Sequence, residues 1–325
     1  MQIEKVMLLI TYRCNLRCNY CFYSIGDEKY KGIKGSKREE LTTDEIINQI
    51  IIPAKQMGVK KIVISGGEPF VRKDLYPILK FISRMGIKCT LQSNLALNIE
   101  EVLQDLEILK SIKFQVSLDG VREKNDVQRG TGSYEKTIYN IKRIVQRCKE
   151  ENIKHRIQLN TVLIYQNIDS VYEYFEQMRE FGINEFSFQL LSNNENNYEQ
   201  NKLTNVMIKK LIYDMEQIKR IAQEKDIEVF CFPIDIKTEN YDYLDRWYNT
   251  LRMQEWKGCP YIDKTIRISP YGDIFSCVET PFTNLKEHDL SEAIQSQERL
   301  LFIKNIKENG PIKECARCCN LPIIE

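Results

Sequence analysis

The strongest constraint on the fold of this chain is a regular alternation of short apolar segments with longer amphipathic ones over its first 225 residues. The apolar segments read as strands, and each is followed by helical periodicity. The predicted strands are residues 5–10, 61–65, 87–92, 112–118, 156–164 and 185–191. Six strand–helix units predict a parallel sheet with right-handed crossovers, doubly wound or curved into an open or closed barrel. Functional residues then belong at the C-terminal ends of the strands.

The helical segments between these strands carry their own start and stop signals. The predicted helices are residues 42–57, 74–85, 99–110, 133–150, 169–181 and 203–225. Thr42 and Glu45 have the spacing of a capping box at the start of the first helix, and Gly58 follows its end. Pro53 predicts a kink within that helix, because a proline ring clashes with the preceding turn.

The pattern changes after residue 225. Residues 227–232 predict a further strand, and residues 235–258 a connector with a helical part. Residues 265–269 and 274–278 flank the turn sequence Pro-Tyr-Gly-Asp and predict a hairpin, and residues 290–307 predict a helix. We therefore expect three parts: a core of residues 1–225, a connector of residues 226–258 and a small α+β extension of residues 259–325.

Charge and hydropathy exclude several classes of protein. Lys and Arg number 47 against 46 Asp and Glu, so the net charge of +1 provides no basic field for nucleic acid. The longest apolar runs, such as residues 6–10, are too short for a membrane span or a signal peptide. We expect a cytoplasmic protein without a nucleic-acid or membrane partner, whose eleven cysteines are not paired as disulfides.

The cysteines fall into two groups, with three isolated between them. The isolated residues Cys89, Cys148 and Cys231 are typical of small buried hydrophobes. The N-terminal group consists of Cys14, Cys18 and Cys21, and the C-terminal group of Cys259, Cys277, Cys315, Cys318 and Cys319. Grouped cysteines in a reducing compartment are more often metal ligands or catalytic groups.

Three thiolates within eight residues can surround one soft metal centre. A structural zinc ion takes four ligands, and no fourth cysteine or histidine lies near the N-terminal group in sequence. An iron–sulfur cluster with three cysteine ligands leaves one iron open, as catalysis requires. Three structural or zinc-binding cysteines are the alternative.

The pattern Cys14-x3-Cys18-x2-Cys21, with Tyr20 before the last cysteine, resembles the signature of the radical S-adenosylmethionine (SAM) superfamily. The resemblance covers residues 5–191 and implies a partial (β/α)6 TIM-like barrel. It implies that the three cysteines hold a [4Fe-4S] cluster that binds SAM. Reductive cleavage then yields methionine and a 5′-deoxyadenosyl radical, which takes a hydrogen atom from the substrate.

Further motifs of that superfamily follow in order at the predicted strand ends. Gly66, Gly67, Glu68 and Pro69 resemble its GGEP motif, which meets the methionine amino group; glycines permit close approach and a carboxylate pairs with an ammonium. By the same resemblance, the polar contacts to the rest of SAM come from Ser93, Asn94, Ser117, Asp119 and Arg129. Family members often have glycine where this chain has Leu95. Ordinary strand-end caps or turns are the alternative for the polar residues.

The C-terminal group can supply four thiolates from two segments, enough for one zinc ion or one iron–sulfur cluster. Cys259 and Cys277 flank the predicted hairpin, with Gly272 in its turn, and Cys315 and Cys318 form a Cys-x2-Cys pair. After a radical SAM core, this arrangement resembles the SPASM and Twitch extensions. The shorter Twitch form, with one auxiliary [4Fe-4S] cluster, fits best. Whether Cys318 or Cys319 is the last ligand stays open.

The resemblance implies a peptide or small-molecule substrate. A ribosomally made peptide that is crosslinked or epimerised is expected first, and a small alcohol or sugar is the alternative. A zinc-stabilised binding protein without catalysis is the third possibility. A reductant such as flavodoxin or ferredoxin is implied, and any leader-peptide-binding module is expected either on a separate chain or to be absent. Cys231 is a candidate hydrogen-atom donor for epimerisation, with a structural role as the alternative.

Overall fold

The structure is a computed structural model, and it describes residues 2–21, 38–191, 199–250, 259–277, 281–310 and 312. The described strands are β1 Lys5–Leu9, β2 Lys61–Ser65, β3 Lys88–Ser93, β4 Ile112–Ser117, β5 Ile157–Leu163, β6 Glu185–Leu190, β7 Glu228–Phe232, β8 Thr265–Ile268, β9 Asp273–Phe275 and β10 Thr283–Asn284. The six strands predicted for the core are confirmed to within one residue at each end.

The described α-helices alternate with these strands. They are α1 Thr43–Glu45, α2 Ile52–Gln56, α3 Leu75–Met85, α4 Glu100–Gln104, α5 Leu106–Ser111, α6 Arg122–Arg129, α7 Ser133–Glu150, α8 Val171–Glu180, α9 Asn205–Lys225, α10 Tyr241–Asn249, α11 Leu290–Ile294 and α12 Gln297–Asn309. Strand pairs β1–β2, β2–β3, β5–β6 and β6–β7 are all parallel. The predicted α/β class with a mostly parallel sheet is therefore confirmed. No helix in the described part of the chain combines the length and apolarity that a membrane span needs.

Two units can be separated by their internal contacts. The first draws its described residues from Met1–Gln115, Arg143–Arg156 and Gly258–Gly310, and the second from Val116–Lys142, Ile157–Lys257 and Pro311–Glu325. The predicted three-part domain boundaries stay a prediction.

In the first unit, the strands follow the order β10-β9-β8-β1-β2-β3. The predicted hairpin is confirmed, because β8 and β9 are antiparallel and Arg267 lies opposite Phe275. β8 also pairs in parallel with β1, with Thr265 opposite Lys5. The sequence did not predict this pairing, which joins segments about 260 residues apart along the chain. The hairpin is thus an integral part of the sheet in this unit.

In the second unit, β5, β6 and β7 are neighbours. Phe186 and Phe188 of β6 stack at a centroid distance of 6.3 Å, and Phe186 also contacts Phe175 of α8. The indole of Trp247 on α10 donates to the carbonyl of Leu191 at 2.8 Å. This aromatic layer identifies the face of β6 that the helices cover.

Two predicted helices are wrong in their continuity. The segment 99–110 breaks at Asp105, whose carboxylate accepts hydrogen bonds from the backbone N–H groups of Glu107 and Ile108 and so starts α5. The segment 290–307 breaks in the same way, because the hydroxyl of Ser296 accepts from the N–H of Arg299 and starts α12. Asp and Ser compete for backbone donors and favour such caps, which a count of apolar residues does not register.

The first predicted helix keeps its start but not its regularity. The capping box of Thr42 and Glu45 is present. Residues Ile46–Ile51 form a π-helical turn ahead of α2, in whose first turn Pro53 lies. The missing N–H and the ring of proline disturb the helical ladder, and a π-turn is one of the ways in which a helix absorbs such a disturbance.

The buried guanidinium of Arg72 ties three segments together in the first unit. It donates to the carbonyl of Ile10 at 2.8 Å and to that of Leu41 at 3.0 Å. It also donates to both carboxylate oxygens of Asp74, at 2.9 and 2.6 Å. The hydroxyl of Thr43, the first residue of α1, donates to the same carboxylate. Arg72 thereby fixes the carboxyl end of β1 against the start of α1.

Acid should weaken this connection. The hydrogen bond from Arg72 lowers the pKa of Asp74 from 3.8 to about 2. A carboxyl whose pKa is lower in the folded state contributes stability above its unfolded pKa, and that contribution is lost as the pH falls toward the folded pKa. We expect Asp74→Asn to be less stable than wild type at neutral pH and to lose less stability between about pH 4 and pH 2. Urea unfolding across this range measures it, and an identical pH dependence in both proteins would contradict the assignment.

Candidate functional site

The loop that carries the N-terminal cysteines is docked on the glycine pair that follows β2. The N–H of Gly67 donates to the carbonyl of Thr11, and the N–H of Glu68 to that of Arg13, both at 2.8 Å. A Cβ at Gly66 would lie 2.2 Å from the Thr11 oxygen, and one at Gly67 would lie 2.2 Å from the Arg13 oxygen. Gly66 also has a φ of +132°. Only glycine permits this contact between two backbones.

Glu68, directly after the glycines, is a buried carboxylate with several donors around it. It is 1% exposed. Its Oε1 accepts from the hydroxyl of Ser93 at 2.7 Å and from the N–H of Phe70 at 3.1 Å, and its Oε2 accepts from the N–H of Asn94 at 2.7 Å. The structure therefore brings together the predicted residues that follow β2 and β3. The hydrogen bonds hold the carboxylate in one orientation.

The first cysteine lies beside this cluster. Its Sγ accepts a hydrogen bond from the N–H of Leu16 at 3.4 Å and lies 4.0 Å from Nδ2 of Asn94. Burial raises the pKa of the Cys14 thiol, and the Leu16 N–H opposes that rise. The N–H of Cys21 donates to the carbonyl of Cys18 at 3.2 Å, which closes a turn between the other two cysteines.

The chemistry of these three residues fits a cluster with an open iron. None of the three forms a disulfide, and all three are of intermediate exposure. Within the described residues, no three His, Cys, Asp or Glu side chains lie close enough together to hold one metal ion. A four-iron cluster differs from a single ion, because each thiolate binds a different iron. Partly exposed sulfurs outside any disulfide, on a loop fixed by its backbone, are what such ligation needs.

Ser117, Asp119 and Arg129 lie in the second unit. Ser117 ends β4 and is partly buried. Nε of Arg129 donates to Oδ2 of Asp119 at 2.7 Å, and both side chains are buried. Oδ1 of Asp119 accepts from the N–H of Val162 at 3.0 Å. The predicted pair thus forms one buried ion pair at the carboxyl end of β4.

The C-terminal cysteines that the structure describes lie at the amino end of β1. Cys259 precedes β8, which starts opposite Lys5, and Cys277 follows β9, which runs back along β8. Cys14 follows the carboxyl end of β1. Cys14 on one side, and Cys259 and Cys277 on the other, therefore belong to opposite ends of the same strand. Cys315, Cys318 and Cys319 lie outside the described residues.

Cys231 lies on β7 in the second unit, opposite Phe188 of β6. Residues opposite each other in a ladder point to the same face of the sheet, so Cys231 shares the face of Phe188, which the helices cover. Burial raises the pKa of its thiol to about 11, and the charge of Lys219 on α9 opposes the rise. This placement favours the structural interpretation of Cys231, and its role as a hydrogen-atom donor stays a prediction.

Several residues that support the cysteine loop were not singled out in the sequence. The hydroxyl of Thr11 donates to Glu40 at 2.6 Å and accepts from the N–H of Arg13 at 3.0 Å. Tyr12 packs on Tyr271 of the hairpin turn, with ring centroids 5.8 Å apart. Thr11 and Tyr12 could have been found from the sequence, because they lie two or three residues before Cys14. Glu40 and Tyr271 carried no such signal, because their contacts are made across the fold.

Relatives of this chain include two proteins of Methanosarcina barkeri (strain Fusaro / DSM 804). The chain is 30% identical over 180 residues to the Fe-coproporphyrin III synthase, an alignment that covers 55% of this chain and 42% of that protein. It is 23% identical over 322 residues to the AdoMet-dependent heme synthase, covering 92% of this chain and 84% of that protein. The chain thus spans less than half of the first relative and most of the second.

Solved structures share the fold. Streptococcus suis SuiB bound to its precursor peptide SuiA superposes with a TM-score of 0.69 at 18% identity, over 100% of this chain and 71% of that chain. Native anSMEcpe with bound AdoMet gives a TM-score of 0.64 at 17% identity, over 97% of this chain and 88% of that chain. The sequence profile of the radical SAM superfamily matches residues 8–178, more than half of the chain. The chain therefore belongs to the radical SAM superfamily, whose members bind a [4Fe-4S] cluster and SAM.

Proposed function

We propose that this protein is a radical SAM enzyme that modifies a ribosomally made peptide by crosslinking or epimerisation. The observation that carries the choice of substrate is the match of fold to SuiB along the whole chain, in a structure that holds a precursor peptide. A flavodoxin or ferredoxin is the reducing partner that this proposal requires.

Cys14, Cys18 and Cys21 would hold the cluster. When bound, the cluster and SAM supply a 5′-deoxyadenosyl radical that abstracts a hydrogen atom from the substrate. The protein positions the cysteine ligands. The backbone N–H groups of Gly67 and Glu68 donate to the carbonyls of Thr11 and Arg13 and so fix the loop before Cys14. A loop held by backbone hydrogen bonds keeps its metal-binding side chains in place.

Glu68 would pair with the ammonium of SAM. Its carboxylate is already fixed by Ser93, Phe70 and the N–H of Asn94, so little reorganisation is needed when a cation arrives. Burial strengthens such a pair, because the local dielectric is lower than that of water. Ser117, Asp119 and Arg129 are proposed as the contacts to the ribose and carboxylate.

The C-terminal cysteines are proposed to bind one auxiliary [4Fe-4S] cluster through Cys259, Cys277, Cys315 and Cys318. In the described part of this site, the hydroxyl of Ser276 next to Cys277 is buried and has no hydrogen-bond partner. A buried hydroxyl of this kind is a donor for a cluster sulfur. This supports a bound group beside Cys277.

A small-molecule substrate is the second candidate function. It is favoured by the alignment with the AdoMet-dependent heme synthase, which spans 92% of this chain and 84% of that protein. A peptide remains the first candidate because its support is a match of the whole fold to a peptide-bound structure.

Removing the charge of Glu68 should weaken SAM binding. We expect Glu68→Gln to bind SAM about ten- to a hundredfold more weakly, the usual effect of losing a hydrogen bond to a charged partner. Equilibrium binding to the reconstituted protein measures this. Glu101→Gln, at an exposed position of α4, is the matched control and should bind as wild type. Equal affinity for wild type and Glu68→Gln would contradict the assigned role.

Iron content should separate the two cysteine groups. Anaerobic reconstitution should give about eight irons per chain, as expected for two four-iron clusters. Cys14→Ala should retain about four irons and lose SAM cleavage, because its remaining cluster is the auxiliary one. Cys148→Ala, at a buried position of α7, is the control and should keep the wild-type iron content. Bound zinc without iron in the wild-type protein would instead favour a zinc-stabilised binding protein.

The substrate class can be tested by co-expression with the short open reading frames that neighbour the gene, followed by peptide mass spectrometry in heavy water. Loss of two hydrogens from a peptide would indicate a crosslink or an oxidation. Uptake of deuterium without another change would indicate epimerisation. If every such peptide is unmodified while the protein cleaves SAM, the peptide proposal is wrong and a small-molecule substrate is favoured.

A further inference from the structure

The side chain of Asn94 is held in one orientation, with its amide nitrogen turned toward the first cysteine. Its Oδ1 accepts from the N–H of Ala96 at 2.9 Å, so that end of the amide is assigned as oxygen. Its Nδ2 donates to Oδ1 of Asn15 at 2.9 Å and lies 4.0 Å from the Sγ of Cys14. Asn94 is 7% exposed, so few waters compete for these groups.

The turn after Asn94 contains a leucine, Leu95, in a backbone conformation that leucine rarely adopts. Leu95 has a φ of +55°, in the left-handed region that favours glycine. The conformation is held because the N–H of Leu95 donates to the hydroxyl of Ser93 at 2.8 Å and its side chain is completely buried. The backbone N–H of Asn94 is fixed at the same time by Glu68. The backbone at Asn94 and at Leu95 is therefore fixed, and this fixed backbone orients the side chain of Asn94.

Two N–H groups are thus directed at one sulfur. The backbone N–H of Leu16 lies 3.4 Å from the Sγ of Cys14, and the amide of Asn94 approaches it from β3. A donor aimed at a thiolate stabilises negative charge on it. The reduction potential of an iron–sulfur cluster depends on such hydrogen bonds, because the reduced state carries one more negative charge.

We propose that Asn94 is a positioning residue that holds Asn15 and Cys14 and raises the reduction potential of the cluster ligated by Cys14. This rests on the proposed function, in which Cys14 is a cluster ligand. It assigns the side-chain amide a role toward the cysteine loop, whereas the resemblance to the superfamily placed this residue among the contacts to SAM.

Two substitutions separate the donor from the structural role of the side chain. Asn94→Asp keeps an acceptor for the N–H of Ala96 and removes the donor, whereas Asn94→Ala removes both without adding charge. The control is Asn98→Asp, which adds the same charge to the same loop at an exposed residue whose Oδ1 accepts from the N–H of Glu100. The measurement is the midpoint potential of the N-terminal cluster, from a redox titration followed by electron paramagnetic resonance, with Cys259→Ala as background.

We expect both Asn94 variants to bind iron and to show a more negative midpoint potential than the parent, with the larger shift in Asn94→Asp. Asn98→Asp should match the parent. A parental potential in Asn94→Asp would overturn the inference, and so would loss of the cluster from both Asn94 variants while Asn98→Asp retains it. Absence of a cluster from the wild-type protein would instead refute the proposed function, so the two failures are distinguishable.

Discussion

The contact between the cysteine loop and the glycine pair is the interaction on which the rest of the site depends. The loop before Cys14 has no regular secondary structure of its own, and two backbone hydrogen bonds to Gly67 and Glu68 fix it. No side chain can stand between the two backbones, because a Cβ at either glycine would overlap a carbonyl oxygen. The backbone that leads into Cys14 is therefore positioned by main-chain contacts rather than by side-chain packing.

Each of the two units buries charged side chains at the positions of the predicted motifs. Glu68 is a carboxylate at 1% exposure, and Asp119 and Arg129 are a buried ion pair. Burying charge is costly, so such groups persist where they are fully hydrogen-bonded and have a use. The strained φ of Leu95 belongs to the same pattern, since backbone strain tends to concentrate at functional sites. Local departures from the best packing here coincide with the motifs.

The sequence predicted what depends on local pattern. Alternation located the strands, and the cysteine and glycine motifs at their ends indicated a candidate site. It did not predict α6, because that helix buries Asn125, Gln128 and Arg129 and so lacks an apolar stripe. It also missed the pairing of β8 with β1 and the bonds of Arg72, which join residues far apart along the chain. Leu95 was recognised as a departure from the family, but only the structure gives its left-handed conformation and the bond that holds it.

Cys14 and the described cysteines Cys259 and Cys277 lie at opposite ends of β1, so that strand is a spacer of fixed length between them. Five extended residues rise by about 3.3 Å each, so β1 alone measures about 16 Å. A strand paired on both sides cannot lengthen or shorten without shifting its register, which would turn every side chain to the other face. The loops at the two ends of β1 can therefore vary in length, while the sheet fixes the distance between the strand ends from which they leave.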